Sequence, residues 1–206
     1  FASAVARVRL VQASDMRLAM PIFEALPTEI LGVEAFLAGR YREAVASLDR
    51  ARTLYLTHGL YRGWGTFAKL IPSEVLVCWV DEAGADAIPD FLQRLRDNAR
   101  TGRRMSRLRV FRGWGSFLTG LFLARRGRQK AARRLFDRAL AERGNDEQPS
   151  FMDLGFRVRI GIERLRMGDP KESITRDLDE ARVAITQSGF LGMLPWLERL
   201  RGVYGV

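Results

Sequence analysis

The sequence has almost none of the residues that build metal and disulfide sites. Its 206 residues include one Cys and one His, which excludes an internal disulfide and a Cys/His zinc site. No apolar run reaches the roughly 18 residues that a membrane-spanning helix needs. The first twelve residues carry arginines inside their apolar stretch, which does not fit a secretory signal peptide. We therefore expect a cytoplasmic protein.

The sequence also lacks the motifs of common catalytic and cofactor sites. It contains no GxxxxGK[ST] phosphate-binding loop and no dinucleotide-binding glycine fingerprint. His58 stands at a predicted helix end, where histidine more often caps the helix or meets water than acts as a base. Cys78 lies in an apolar run, which is typical of a buried small side chain. We predict a protein that is not an enzyme, with no catalytic residue, no metal and no cofactor.

Lysine is scarce, whereas arginine is abundant and unevenly distributed. Only three of the 34 basic residues are Lys, and the formal charge is +10. The segment from Arg94 to Arg138 holds 15 basic and two acidic residues, so it carries the whole imbalance. Such a surface could bind phosphates of nucleic acid or an acidic protein segment. The alternative is an ordinary solvated surface in an arginine-rich protein, or a docking face for another part of the same polypeptide. The basic patch comprises Arg103, Arg104, Arg107, Arg126, Arg128, Arg133 and Arg134.

The sequence pattern that is present is helical. Apolar residues recur at three- and four-residue spacing along most of the chain, and strict alternation is rare. Residues 40–57 and 128–143 show the clearest stripes, each with charged residues on the opposite face. Glycines separate segments of helical length. The pattern predicts an all-α fold.

Four glycines divide these segments into hairpins at a nearly constant step. Gly39, Gly84, Gly127 and Gly168 follow one another at intervals of 45, 43 and 41 residues. Two hairpins share a longer pattern, in which a small residue on the first helix lets the second approach closely and Ala with Leu or Phe forms the facing ridge. Gly32, Ala44, Leu48 and Ala51 in the first hairpin match Gly120, Ala132, Phe136 and Ala139 in the third, and Gly161, Ile174, Leu178 and Ala181 fit the fourth.

These offsets resemble those of the tetratricopeptide repeat over roughly residues 28–187, most strongly at 32–51 and 120–139. The resemblance implies a right-handed α-solenoid of about four helical hairpins, a TPR-like superhelix, with flanking helices. Three features depart from the family: the repeats are longer than 34 residues, the aromatic residues of the first helices are displaced, and the proline that closes a repeat is missing. The alternative is an ordinary bundle of helices.

We predict one helical-repeat domain over residues 1–206, which we interpret as a fragment of a longer chain. Leu194, Trp196, Leu197 and Leu200 are suited to covering the last hairpin. The predicted parts are N-terminal helices at 1–27, hairpins at 28–58, 61–100, 103–143 and 150–187, and a capping helix at 190–206.

The resemblance also implies where a partner binds. In stacked hairpins of this kind the first helices line a concave groove. The candidate partner-binding residues are Trp114, Phe117, Leu121, Arg125, Phe36 and Arg166. An apolar groove edged by arginine suits a peptide or a small ligand with an anionic end. The alternative is that Trp114 and Phe117 are core residues, because an aromatic stripe at helical spacing is usually buried.

Long, loose repeats of this kind are similar to the helical sensor regions of large bacterial signalling proteins, which follow an ATPase, kinase or cyclase core. By this analogy the chain is a non-catalytic regulatory module that binds a peptide, a protein or a small effector. Two alternatives stay open: a free-standing scaffold that binds an acidic protein segment, and nucleic-acid binding by the Arg94–Arg138 surface.

Overall fold

The computed structural model describes residues 22–58, 67–106, 111–143, 151–187 and 191–206, with the single residues Ala6, Leu10 and Gly189. In these ranges the regular structure is helical, and no strand is formed. The all-α prediction is confirmed for this part of the chain.

The described residues form nine α-helices and two 3-10 turns. The helices are α1 Ile22–Leu37, α2 Tyr41–Thr57, α3 Phe67–Ala83, α4 Phe91–Met105, α5 Trp114–Arg125, α6 Gln129–Arg143, α7 Phe151–Arg166, α8 Lys171–Gln187 and α9 Leu194–Tyr204. The 3-10 turns are Ala85–Ala87 and Leu191–Met193. The first hairpin begins at Ile22 rather than at residue 28, because its first helix continues through Pro27.

The chain divides into two compact units. Residues 1–88 form unit 1, which contains α1 to α3, and residues 89–206 form unit 2, which contains α4 to α9. The boundary falls inside the segment predicted as the second hairpin. The grouping of all hairpins into one domain stays a prediction.

The four predicted turn glycines all have positive φ: Gly39 78°, Gly84 93°, Gly127 74° and Gly168 90°. In three of these turns the glycine N–H donates to the carbonyl three residues earlier, and the next N–H donates to the carbonyl four residues before the glycine. This pair of bonds closes a helix on a residue with left-handed backbone, which glycine adopts without strain. At Gly84 the amide instead donates to the carbonyl of Val80, as in a continuing helix. The second turn is thus the irregular one.

Close helix contact at the predicted small residues is confirmed in two hairpins. A Cβ placed on Gly32 would lie 2.8 Å from Leu48 Cγ, and one on Gly120 would lie 2.8 Å from the ring of Phe136. These are the ridge residues that the sequence pattern paired with the two glycines. At Gly161 the nearest atom would be 3.4 Å away, so the fourth hairpin is less tightly packed at this point.

The buried face of each second helix follows the predicted stripe. On α2 the buried residues recur at three- and four-residue steps, and the same is true of α8. The capping helix α9 buries Trp196, Leu197 and Leu200, and it contacts α8. Its proline, Pro195, lies in the first turn, where the missing N–H removes no helical bond.

Helices that follow each other in the chain pack together within each unit. In unit 1 these contacts join α1 with α2 and α2 with α3, and in unit 2 they join α4, α5 and α6 in succession and α7, α8 and α9 in succession. This nearest-neighbour order is compatible with a helical repeat. The right-handed solenoid stays a prediction.

Candidate functional site

The aromatic residues that were predicted to line a groove are buried in unit 2. Trp114 and Phe117 expose 5% and 6% of their surface, and Leu121 exposes none. The ring centroid of Phe156 on α7 lies 6.0 Å from that of Trp114 and 4.5 Å from that of Phe117. Because α7 covers this face of α5, these are core positions rather than groove positions, as the alternative interpretation held.

The other predicted groove residues lie in different surroundings. Phe36 is buried in unit 1, where its ring centroid lies 6.3 Å from that of Tyr41. Arg166 is exposed at the end of α7 in unit 2. Partner binding through these residues stays a prediction.

Arg125 is also buried, because it forms an ion pair across the core of unit 2. Its Nε donates to Glu163 Oε2 at 3.0 Å, and its terminal nitrogen donates to the second carboxylate oxygen. Arg159 Nη1 lies 3.6 Å from that second oxygen and donates to the Tyr204 hydroxyl at 3.3 Å. A buried charge is tolerated when it is paired in this way. The network therefore connects α5, α7 and α9 and serves the fold.

Arg159 and Glu163 were not singled out from the sequence, although a signal existed. They stand four residues apart on α7, within the apolar stretch that includes Val158 and Ile162. Two opposite charges on the buried face of a helix indicate a pair that shares further partners inside the fold.

Unit 1 holds a different buried polar pair. The Tyr55 hydroxyl donates to Glu29 Oε2 at 2.7 Å, and the other carboxylate oxygen of Glu29 has no hydrogen-bond partner in the described residues. Burial raises the pKa of Glu29, and the bond from Tyr55 offsets part of this rise. Burial and the bond to Glu29 likewise raise the pKa of Tyr55, which stays a phenol donor.

Part of the Arg94–Arg138 region is neutralised by acids. Arg125 pairs with a residue of α7 and Arg133 with a residue of the turn between α7 and α8, and the others pair within their own helix or with the residue just before it. The pairs are Arg94–Asp90, Arg100–Asp97, Arg125–Glu163, Arg133–Asp169 and Arg138–Glu142. Arg133, a member of the predicted patch, also donates to the Met167 carbonyl at 2.6 Å. These contacts stabilise the fold and leave the rest of the region for other interactions.

Seven cations of the region project into solvent, and their side chains form neither an ion pair nor a hydrogen bond with described residues. We call them the exposed basic surface: Arg103, Arg104, Arg112, Arg126, Arg128, Lys130 and Arg134. The Arg126 guanidinium lies 5.7 Å from the centroid of the Phe122 ring. Arg107 of the predicted patch lies outside the described residues. Five members of that patch thus belong to the exposed basic surface.

Three cations lie in a row along α6. Lys130, Arg134 and Arg138 succeed one another at four-residue steps on the exposed face, opposite Ala132 and Phe136 on the buried face. Eight residues of helix span about 12 Å. The row therefore runs from the α5–α6 turn toward the C-terminal end of α6.

A cleft of about 790 Å³ lies at the end of this row. Arg103 of α4, Arg112 before α5 and Arg138 of α6 line it, so three separate elements contribute an arginine. Glu142 supplies a carboxylate that accepts from Ser116 Oγ at 2.8 Å and from Arg138 Nε at 2.6 Å. The cleft falls within the usual size range of ligand pockets, and its lining carries a net positive charge.

A second cleft of about 460 Å³ lies among α6, α7 and α8. Its lining includes Arg157, Arg164 and Asp177 above an apolar floor. Burial raises the pKa of Asp177, and the neighbouring Arg176 acts in the opposite direction. Because both signs of charge line this cleft, its electrostatics favour no one class of ligand.

The two residues considered as nucleophile or base are placed as predicted. Cys78 is buried on α3, and its Sγ donates to Glu74 Oε1 at 3.5 Å. His58 is exposed and caps the C-terminal end of α2. Neither residue lies in one of the two clefts.

Comparison of the chain with protein-family models, with curated protein sequences and with solved structures finds no match. In the described residues, no group of three or more His, Cys, Asp or Glu side chains could hold a metal ion. The helices of the described ranges include none that is long and apolar enough to cross a membrane. The features of unit 2 that face a partner are the exposed basic surface and the cleft beside it.

Proposed function

We propose that the chain is a non-catalytic recognition and regulatory module that binds an acidic segment of a protein partner. The exposed basic surface supports this proposal, because seven guanidinium and ammonium groups on α4, α6 and the segments that flank α5 are exposed and form no ion pair with described residues. Complementary charge favours association and selects the partner. The proposal places the module, as a right-handed solenoid of hairpins, in a larger bacterial signalling protein of the cytoplasm.

The proposed binding surface differs from the concave groove that the sequence suggested. Trp114, Phe117 and Leu121 are buried in the core and present little or no surface to a ligand. The exposed cations and the cleft beside them are available without any rearrangement of the fold. The function expected from the repeat pattern is kept, and its location moves to another face of unit 2.

A peptide fits this surface better than an uninterrupted row of phosphates does. Asp137 is exposed on α6 beside the row of cations, and Glu142 lines the cleft at its end. Asp137 pairs with Arg164 and Glu142 pairs with Arg138, so the line of available cations is interrupted at these points, whereas a nucleic-acid backbone carries a charge at every step. A peptide can place neutral residues opposite Asp137 and Glu142 and acidic residues opposite the cations.

The test compares two variants that lose the same charge. Lys130→Gln with Arg134→Gln removes two cations of the exposed basic surface. Arg94→Gln with Arg100→Gln removes two cations that pair with Asp90 and Asp97. Affinity for a fluorescent peptide rich in Asp and Glu is measured by anisotropy, with an Asn/Gln version of the peptide as the neutral control.

We expect the first variant to bind the acidic peptide about tenfold more weakly and the second to change affinity less than about twofold. Equal losses in the two variants would show that only net charge matters and would overturn the proposal. Binding of arbitrary single-stranded or duplex DNA with a steep salt dependence, without binding of the acidic peptide, would replace it by a nucleic-acid function.

A further inference from the structure

We propose that the cleft among α4, α5 and α6 binds the phosphate monoester of a phosphorylated residue within the acidic segment. This inference rests on the proposed function, since it names the chemistry of that partner. Its basis is the convergence of Arg103, Arg112 and Arg138, which come from three separate elements and line one cleft of about 790 Å³.

The hydrogen bonds within the cleft show which donors are available to a ligand. Glu142 accepts from Arg138 Nε, which holds that guanidinium by one edge and leaves its terminal nitrogens for another acceptor. Ser106 donates to the Arg103 carbonyl and Thr119 to the Gly115 carbonyl, so these hydroxyl hydrogens are already used. The side chains of Arg103 and Arg112 have no partner in the described residues. Among the side chains of the cleft, the available donors are therefore guanidinium groups.

The number of these donors distinguishes a phosphate monoester from a carboxylate. One guanidinium fork already matches the two oxygens and the single charge of a carboxylate. A phosphate monoester carries a charge of about −1.5 to −2 at neutral pH and has three terminal oxygens, so it accepts from two or three forks. With three arginines and one glutamate, the cleft offers a net charge that matches such a dianion.

The first turn of α5 borders the same cleft. Gly115 and Ser116 line the cleft and belong to this turn, whose amide groups have no carbonyl partner inside the helix. Gly113 precedes the helix and supplies no side-chain cap. The partial positive charge of this helix end acts in the same direction as the three arginines.

The row of cations on α6 predicts where further acids of the partner lie. Arg134 stands about 6 Å and Lys130 about 12 Å along the helix from Arg138. An extended peptide advances about 3.3 Å per residue. With the phosphorylated residue in the cleft, acidic residues two and four positions away lie beside Arg134 and Lys130.

The experiment uses three versions of one acidic peptide, with serine, glutamate or phosphoserine at the same position. These peptides are measured against the wild-type chain, Arg112→Gln, Arg103→Gln and the control Arg128→Gln. The control residue is exposed and without a side-chain partner, as Arg112 is, but it lies at the α5–α6 turn outside the cleft. All three substituted positions are at the surface, and circular dichroism verifies that each variant is folded.

We expect the wild-type chain to bind the phosphoserine peptide about tenfold or more tightly than the serine and glutamate versions. Arg112→Gln and Arg103→Gln reduce this preference to about threefold or less, while Arg128→Gln weakens all three peptides and keeps the preference. This pattern would support the phosphate site.

Three results would overturn the inference. If the wild-type chain prefers the phosphoserine peptide by about twofold or less, the peptide's carboxylates and not the phosphate determine binding, and the proposed function stands. A preference that survives in both cleft variants places the phosphate elsewhere. If inorganic phosphate displaces the phosphoserine peptide when both are at the same concentration, the cleft is a site for the free anion. If none of the three peptides binds, the proposed function itself fails.

Discussion

The first and third hairpins share a backbone design and differ in what they bury. In both, a glycine on the first helix faces a bulky residue of the second, and both turns close with the same two backbone bonds. Ten residues before the turn glycine, however, the first hairpin has Glu29 and the third has Phe117. The residues at the contact between the two helices thus define the hairpin. The other positions differ in residue type between the two hairpins.

The surfaces of these two hairpins differ in the same way. On α1 and α2, Arg40 pairs with Glu34 and Glu43, and Arg50 pairs with Glu24. On α5 and α6, several arginines have no acid within reach in the described residues. One scaffold therefore supports both a surface on which arginines and acids pair and a surface with a large excess of arginine that is suited to an acidic partner.

Each unit buries a glutamate, but Glu163 pairs with arginines and Glu29 with a tyrosine. This contrast predicts the largest difference in the free energy of unfolding. Glu163→Gln removes the carboxylate between Arg125 and Arg159 and leaves two buried cations without it, so we expect the free energy of unfolding to fall by about 3–5 kcal/mol. Glu29→Gln keeps an acceptor for Tyr55, so we expect a change below about 1 kcal/mol at pH 7. Urea unfolding followed by circular dichroism measures both variants. Similar losses for the two would show that the cationic partners do not matter.

The glycine contacts predict a smaller difference between hairpins. Gly32→Ala and Gly120→Ala place a Cβ 2.8 Å from a ridge side chain, so we expect each to reduce the free energy of unfolding by about 1–3 kcal/mol. Gly161→Ala is the control, since its Cβ has room and alanine favours the helix by up to about 1 kcal/mol. Thermal or urea unfolding compares the three. A stabilised Gly120→Ala would mean that Phe136 moves aside at no cost.

The smallest predicted effect concerns pH. Burial raises the pKa of Glu29 in the folded state above its ordinary value of 4.5. When the pH rises past 4.5, Glu29 therefore keeps its proton longer in the folded state than in the unfolded chain. The contribution of protonated Glu29 to the free energy of unfolding is therefore fully present below pH 4.5, and it is lost as the pH rises through the folded-state pKa. We expect the wild-type chain to lose stability relative to Glu29→Gln over this range, as measured by unfolding at several pH values. A difference that is independent of pH would contradict the shift.

Much of the hairpin geometry could be predicted from the sequence, because its causes are local. Positive φ at Gly39 and Gly127 follows from the need to end one helix and start another. The contact of Gly120 with Phe136 follows from an offset that repeats elsewhere in the chain. Both features depend on residues within one hairpin, and helical periodicity is enough to place them.

The site could be predicted only in part. The concentration of charge between Arg94 and Arg138 was visible, but the burial of Trp114 depends on α7, whose Phe156 covers it. Arg125 was expected at a groove edge, and its partner Glu163 is 38 residues away. Spacing along one helix does not specify which neighbouring helix lies over it or at what height.

The sequence by itself determined the helices, the turns between them and the excess of arginine in one region, because periodicity, backbone conformation and composition are properties of short segments. The tertiary structure alone decided which of those arginines are neutralised and which face solvent, and it assembled the cleft from three separate elements. Ion pairing depends on distances of a few ångströms between side chains of different helices, and such distances exist only once the helices have packed.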